Sequence, residues 1–359
     1  MPTISDLRQR QSLPLEAKVS MSKSRIREWY NHFDGDVYVS FSGGKDSTVL
    51  AHLVHDLYPS VPLIFCNTGL EFPEIRAFAK KMGAIPMRPK MRFDEVISKH
   101  GYPLISKEVS GHLAAARSMR KDIKHATRKR FMSDENPMYS KTRWMPLLQE
   151  TQFLISDACC GVMKKAPGKL YEKREKVSPY IGTLADESAL RLSQWLKNGC
   201  NAYDSKRKCS KPLSFWTEQD VLHYIHDNDI EIARVYGEIL AVDENGFQYE
   251  PMPCVDCKLK CSKYQRTGCI YCAYGAHLEK GETRFQLLAK THPKQYEYCM
   301  RGGQWVDNPK YDPTAPKYDG EWLNWNPKKI WTPSKEGLGM KKVFDDCNAI
   351  YGKNFIRYE

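Results

Sequence analysis

The sequence predicts an α/β protein with a doubly wound, mostly parallel sheet and a C-terminal cysteine-rich region of mixed helices and loops. Three observations predict it. Residues 37–41 read as a buried strand that runs through Ser42, Gly43 and Gly44 into an amphipathic helix. A second strand-to-helix unit at 61–82 and a third strand at 84–87 complete a βαβαβ pattern, the signature of a parallel sheet. Of twelve cysteines, seven fall in close groups at 159–160 and 254–272.

Taken in order, residues 1–33 are a helical lead-in. Positions 14–33 read as an amphipathic helix with Leu15, Val19, Ile26, Trp29 and Tyr30 as packing positions. In the strand that follows, Val37, Val39 and Phe41 alternate with Tyr38 and Ser40. Ser42, Gly43 and Gly44 make a tight turn, with glycines where a Cβ would keep the backbone from a phosphate. Ser47 and Thr48 begin a helix carrying Val49, Leu50, Leu53, Val54 and Leu57 on one face. Backbone N–H groups and a helix N-terminus therefore aim at one point, which is how an anion site is built, and Lys45 adds a positive charge. The spacing fits neither Gly-x4-Gly-Lys-Ser/Thr nor Gly-x-Gly-x-x-Gly.

The second strand ends in Asn67, Thr68 and Gly69. Ligands of parallel sheets sit at such strand ends, so these three are expected to contact the adenosine half of a nucleotide; a plain turn is the alternative. Pro73 and Glu74 open a helix with Ile75, Phe78 and Met82 at helical spacing. From residue 105 the chain turns basic. Arg117, Arg120, Lys121, Lys124, Arg128, Lys129 and Arg130 are opposed between 117 and 130 only by Asp122. The run is either a solvated face or a contact surface for a phosphate backbone. Residues 134–139 read as a loop and 178–183 as a further sheet strand.

Two segments then stand out: Gly182-Thr-Leu-Ala-Asp-Glu-Ser-Ala-Leu-Arg191 and Pro212-Leu-Ser-Phe-Trp-Thr-Glu-Gln-Asp-Val221. In the second, Thr217 and Asp220 form a capping-box start for a helix at 218–226. The tail at 301–335 interleaves Trp, Tyr, Pro and Lys. It reads as a loop whose aromatics pack on the body, with stacking on single-stranded nucleic acid as the alternative. A short helix at 340–351 closes the chain. These elements suggest a lead-in at 1–33, a nucleotide domain at 34–230 with a basic insertion at 106–145, a cysteine-rich region at 231–300 and a tail at 301–359.

Composition sets the class. Hydrophobic residues make up 41% of 359, enough for a real core and about two domains. No run of about 18 apolar residues exists and the N-terminus lacks an apolar signal core, so the expectation is a cytoplasmic protein that does not span a membrane. A formal net charge of +12 favours an anionic partner, nucleotide or nucleic acid. In that compartment cysteines point to metal or redox chemistry rather than disulfides. Cys159-Cys160 and Cys269-x-x-Cys272 supply four thiolates, which suit a [4Fe–4S] cluster or a structural zinc; spacing does not choose between them. Cys254, Cys257 and Cys261 form a possible second set.

Ser42-Gly-Gly-Lys-Asp-Ser47 between strand and helix resembles the PP-loop of the ATP pyrophosphatases, which split ATP into AMP and pyrophosphate on a Rossmann-like fold. With the Gly182–Arg191 and Pro212–Val221 segments and the cysteines, the chain over roughly 30–285 resembles the phosphoadenosine phosphosulfate (PAPS) reductase-like family. The resemblance implies a nucleotide site of Ser42, Gly43, Gly44, Lys45, Asp46, Ser47, Thr48, Asn67, Thr68, Gly69, Glu187, Ser188 and Arg191. Arg191 would face phosphate or sulfate oxygens, Asp46 would act through Mg²⁺ or by ordering the loop, and Pro212, Leu213 and Trp216 would be architectural. It also implies a [4Fe–4S] cluster on Cys159, Cys160, Cys269 and Cys272.

Two departures redirect the reading. Sulfonucleotide reductases generally carry a degenerate PP-loop, and here it is intact. They also carry a nucleophilic cysteine in a C-terminal Glu-Cys-Gly-Ile/Leu-His element, and here only Cys347 in Asp-Asp-Cys-Asn-Ala is near the end. An intact loop with a cluster looks more like the nucleic-acid thiolation enzymes of the same superfamily. The expectation is therefore an ATP- and Mg²⁺-using sulfur-transfer enzyme acting on tRNA or DNA, with Lys45, Asp46 and Arg191 catalytic, a sulfur-donor protein as partner and a homodimer as the default assembly. Sulfonucleotide reduction, adenylyl transfer to sulfate and a non-catalytic nucleotide-sensing regulator that binds nucleic acid are the rivals.

Overall fold

The computed structural model describes residues 2–118, 121–243, 257–318 and 322–359. The chain forms two compact units, each assembled from separated stretches: residues 1–89 with 166–269, and residues 90–165 with 270–359. The linear boundaries suggested by the sequence do not coincide with these. The stretch containing the basic insertion and the tail share the second unit, whereas most of the cysteine-rich stretch before 269 belongs to the first.

The first unit is built on one six-stranded sheet. Its strands are β1 (Val37–Phe41), β2 (Leu63–Cys66), β3 (Ile85–Met87), β4 (Ser178–Ile181), β5 (Asn201–Ala202) and β6 (Cys209–Ser210), in the spatial order β3-β2-β1-β4-β6-β5. All pairings are parallel except that of β5 with β6. Strand order reverses between β1 and β4. In a doubly wound sheet the crevice at the carboxyl ends of the strands flanking that reversal is where ligands bind. The turn after β1 and Gly182 after β4 lie there.

The helix Leu15–His32 docks with Ile26 and Trp29 fully buried, as its apolar spacing predicts. It also buries Lys18 and Ser22, which the periodicity did not single out. Lys18 pairs with Asp220 at 2.7 Å. Ser22 Oγ donates to the Pro212 carbonyl and accepts from Trp216 Nε1, each at 2.9 Å. Leu213 and Trp216 are fully buried, so the Pro-Leu-x-x-Trp segment is architectural: it locks the lead-in helix to the body. Thr217 caps the helix Glu218–Asp227 reciprocally with Asp220, worth about 1 kcal/mol.

The second unit gathers the helices Phe93–His100, Lys107–Ala116, Lys121–Met132, Arg284–Thr291, Pro293–Met300 and Met340–Tyr351. Leu104–Ile105 pairs in parallel with Ala273–Tyr274, and Gln304–Asp307 pairs antiparallel with Lys329–Thr332. Tail aromatics pack within this unit: Trp322 is buried, and Trp325 Nε1 donates to the Thr151 carbonyl at 2.7 Å. Among the described residues no helix is long and apolar enough to cross a membrane.

Candidate functional site

The turn after β1 is held by its own hydroxyls. Ser47 Oγ donates to the Gly44 carbonyl at 2.9 Å and accepts from Ser42 N at 3.2 Å, and Thr48 Oγ1 donates to the same carbonyl at 3.0 Å. The helix begins at Lys45, two residues before the position read from the sequence, with Gly44 as its N-cap. Gly43 has φ +71°, and a Cβ there would stand 2.8 Å from Ile75 Cγ2. The Gly44 N–H meets Ser42 Oγ, and the Lys45 N–H meets the Tyr236 hydroxyl, both at 3.3 Å. Bonds this long are weak, so an anion oxygen competes well for these donors.

Lys45 is buried, and its Nζ lies 2.8 Å from Glu218 Oε1 while donating to the Gln265 carbonyl at 3.1 Å. Burial penalises ionisation at Glu218, but Lys45 and Arg266 together hold its carboxyl below the usual range. Asp46 shows the opposite balance. Burial raises its pKa despite the attraction of Lys45, Arg266 and Arg191, and its Oδ1 is buried without a hydrogen-bond partner. An orphaned buried carboxylate oxygen beside an anion site suits a hard cation such as Mg²⁺.

Glu187, Ser188 and Arg191 take distinct parts. Ser188 Oγ accepts from the Arg191 N–H and caps the helix Ala189–Asn198. Glu187 accepts from the Leu184 N–H and pairs with the Arg191 guanidinium. The Arg191 guanidinium also acts electrostatically on the Asp46 carboxyl, the weakest of the influences on it. Gly182 explains the start of this motif: a Cβ there would lie 2.9 Å from the Asp46 carbonyl oxygen and 3.1 Å from Ser47 Cα. Thr68 is tied into a local turn, its hydroxyl donating to Glu71 at 2.7 Å, and Gly69 has φ +77°. These bonds are those of a strand-to-helix turn; the adenosine-contact role of Asn67, Thr68 and Gly69 stays an expectation.

Sequence reasoning missed Tyr236, Glu218, Gln265, Arg266 and Thr267. Glu218 was visible only as the first residue of a capped helix. The others lie in a stretch read for its cysteines.

In the second unit Cys159 and Cys160 end a short helix, Ala158–Cys160, that continues as a π-helical turn, Gly161–Lys165. Hydrogen bonding from Cys159, then Lys107, Lys164 and Lys165, draws the Cys160 thiol well below its ordinary value against the penalty of burial. Burial pushes the Cys272 thiol up. Tyr274 is raised by burial and then by Cys159, Cys160 and Cys272, so these groups share one neighbourhood. Cys269, three residues before Cys272, closes the other unit and is half-buried. Among the described residues no three His, Cys, Asp or Glu side chains are drawn into a ready metal cage. The donor chemistry nevertheless suits a thiolate-held group, with clustered thiols and three lysines that favour the thiolate at Cys160. Of the second cysteine set, Cys254 lies outside the described residues, Cys257 is half-buried and Cys261 is buried with its thiol pushed up.

The basic run does not form one continuous surface. Arg117 is half-buried: it donates to the carbonyls of Leu147, Leu148 and Phe153 and to Thr151 Oγ1, and stacks on Trp325 at 4.1 Å. Burial lowers its pKa to about 9. Arg128 is buried, over Trp322 at 4.6 Å and bonded to Asn324. Arg128 cannot meet a phosphate backbone from there, and the Arg117 guanidinium is already taken up by its four acceptors, which corrects the expectation of a phosphate-contact surface at both; their cations serve aromatic packing instead. Arg130 is half-buried against His112, and Lys129 is exposed. Arg120 and the side chains of Lys121 and Lys124 lie outside the described residues.

The family model for the phosphoadenosine phosphosulfate reductase domain matches residues 36–88 and 90–274. The chain belongs to the phosphoadenosine phosphosulfate reductase family. The match takes in the turn after β1, Gly182–Arg191, Pro212–Val221 and every grouped cysteine. Among curated relatives, sulfate adenylyltransferase subunit 2 of Streptomyces lavendulae is 29% identical over 234 residues, 62% of this chain and 62% of that one. The match thus spans somewhat less than two thirds of that relative's length. Among solved structures, a phosphoadenylyl-sulfate reductase from Candida auris matches with TM-score 0.35 and 15% identity, covering 65% of this chain and 91% of that one. The U34-tRNA thiolase NcsA from Methanococcus maripaludis, solved with its [4Fe–4S] cluster, matches with TM-score 0.31 and 18% identity over 61% and 67%. At those scores neither structure decides a reaction within the family.

Proposed function

We propose that this chain is an AMP-forming PP-loop enzyme that activates an acceptor oxygen with ATP for sulfur transfer, the acceptor being nucleic acid. The observation that carries the reading is the intact loop around Asp46: a buried carboxylate oxygen without a partner, under the attraction of Lys45, Arg266 and Arg191. A site for an already activated substrate has no need of a carboxylate set among cations beside the loop. A bound Mg²⁺ at Asp46 suits a triphosphate.

In this reading the acceptor oxygen attacks the α-phosphorus and the bond to pyrophosphate breaks. The Gly44 and Lys45 amides, Lys45 Nζ and Arg191 stabilise the charge that builds on the departing pyrophosphate. Sulfide-level sulfur from a donor then displaces AMP. Cys159, Cys160 and Cys272, with Cys269 of the same Cys-x-x-Cys motif, are the residues that would hold a [4Fe–4S] cluster. When bound, that group supplies a thiophilic site for the sulfur. Hydrogen bonding from Cys159, and then Lys107, Lys164 and Lys165, favour the thiolate of Cys160.

Reduction of a sulfonucleotide requires a nucleophilic thiol. Cys347 is fully buried and its pKa is pushed up to about 12 by burial and then Asp346, which speaks against that role. Adenylyl transfer to sulfate is the second reading, favoured by the 29% identity to the Streptomyces subunit. Product analysis on anaerobically purified protein separates them. AMP and pyrophosphate appearing only with bulk tRNA or DNA support nucleic-acid activation. Pyrophosphate release that requires sulfate supports the second reading. No pyrophosphate under any condition refutes both.

A further inference from the structure

Arg266 has a fixed backbone and a free head. On one side of it the Gln265 carbonyl accepts from Lys45 Nζ at 3.1 Å. On the other, the Thr267 hydroxyl lies 2.6 Å from the Tyr236 hydroxyl, which also accepts from the Lys45 N–H. The residue is thus pinned beside the loop through both neighbours. Its side chain remains 63% exposed, and its Nη2 approaches Glu218 Oε2 only to 3.7 Å. Glu218 Oε1 holds Lys45 Nζ at 2.8 Å. One carboxylate therefore occupies two cations at the mouth of an anion site.

We propose that Arg266 is a phosphate-contact residue of the nucleotide site, and that Glu218 is a place-holder carboxylate that orients Lys45 and Arg266 until nucleotide phosphates replace it. The inference rests on the reading of the loop as an ATP site. Its physical basis is charge balance. Lys45 and Arg266 lie on Glu218 and Arg191 lies on Glu187, so all three cations are already matched to carboxylates, and a polyphosphate needs them released. Glu218 is the carboxylate best placed to yield. Its side chain is 39% exposed, and water can take it up when it leaves. A guanidinium at 3.7 Å forms no good hydrogen bond with it, whereas a phosphate oxygen offers a bidentate partner.

The test is calorimetric binding of ATP, inorganic pyrophosphate and AMP to the full chain and its variants, with thermal melts as a fold control. Arg266→Gln is expected to weaken ATP and pyrophosphate about ten-fold or more while leaving AMP unchanged, with Arg266→Lys between it and the wild type. Glu218→Gln is expected to tighten both by about three-fold or more, because the two cations are no longer occupied. Weaker ATP binding by Glu218→Gln, or equal effects of Arg266→Gln on ATP and AMP, overturns the proposal. Wild-type protein that binds ATP alongside indifferent variants overturns this inference alone. Wild-type protein that takes up no ATP overturns the nucleotide reading, and this inference with it.

Discussion

Gly182→Ala tests the architecture of the site with a single methyl group. The new Cβ would stand 2.9 Å from the Asp46 carbonyl oxygen, 3.1 Å from the Asp46 carbonyl carbon and 3.1 Å from Ser47 Cα. All three are backbone atoms of the first turn of the helix Lys45–His55, so no side chain can swing aside. The strain must be met by moving that turn or the end of β4, at about 1–3 kcal/mol. For a unit of this size that lowers Tm by about 2–4 °C per kcal/mol. Because the shifted turn carries Lys45 and Asp46, strain falling on the binding-competent geometry raises the Kd for ATP by about five-fold to about a hundred-fold. Gly111→Ala is the control. It lies within the helix Lys107–Ala116, where a Cβ would meet the Asp157 carboxylate at an ordinary 3.5 Å. That variant should gain about 0.5–1 kcal/mol from helix propensity and leave ATP binding alone. Differential scanning calorimetry and titration calorimetry read both. A Gly182→Ala protein with wild-type Tm and wild-type Kd refutes the close-approach argument.

Other expectations follow from the same contacts. Lys45→Ala should abolish ATP cleavage and leave any cluster absorbance in place, whereas Cys272→Ser should lose the absorbance and keep a folded nucleotide site; loss of both signals in either variant contradicts their separation. Asp46→Asn should abolish cleavage yet raise Tm at pH 7, because burial raises the Asp46 pKa and the ionised carboxylate therefore destabilises the folded state. The unfolded carboxyl titrates near 3.8, so that gain should shrink as pH falls through the raised folded pKa and vanish below about 3.8; melts across pH 3–7 check the sign. Arg117→Ala should cost more than about 3 kcal/mol in chemical denaturation, since it strands three buried carbonyls and exposes the face of Trp325. Lys129→Ala should leave stability within about 0.5 kcal/mol, with gel-shift assays reading any loss of nucleic-acid binding.

Much of the first unit was legible in the sequence because its signals are local. The alternation of Val37, Val39 and Phe41, the glycine turn and the apolar face at 49–54 are short-range patterns that physical chemistry reads directly. The Thr217–Asp220 box and the closing helix Met340–Tyr351 were readable for the same reason. The family motifs located Arg191, and the structure pairs its guanidinium with Glu187 of the same motif.

What only the tertiary structure decided depends on partners far apart in the chain. No periodicity announces that Glu218, 173 residues from Lys45, neutralises it, or that the Gln265 carbonyl reaches across 220 residues to the same ammonium. The basic run shows the reverse case. In sequence Arg117 and Arg128 look like solvated charge, yet each packs against a tail tryptophan roughly two hundred residues away. Charge is a property of a residue, but whether it faces phosphate, carboxylate or an aromatic ring is settled by what folding brings beside it, and desolvation then fixes its chemistry. The sequence by itself determined the sheet, the anion-binding turn and the stock of thiols. The tertiary structure decided which cations remain available to a ligand and which hold the fold together.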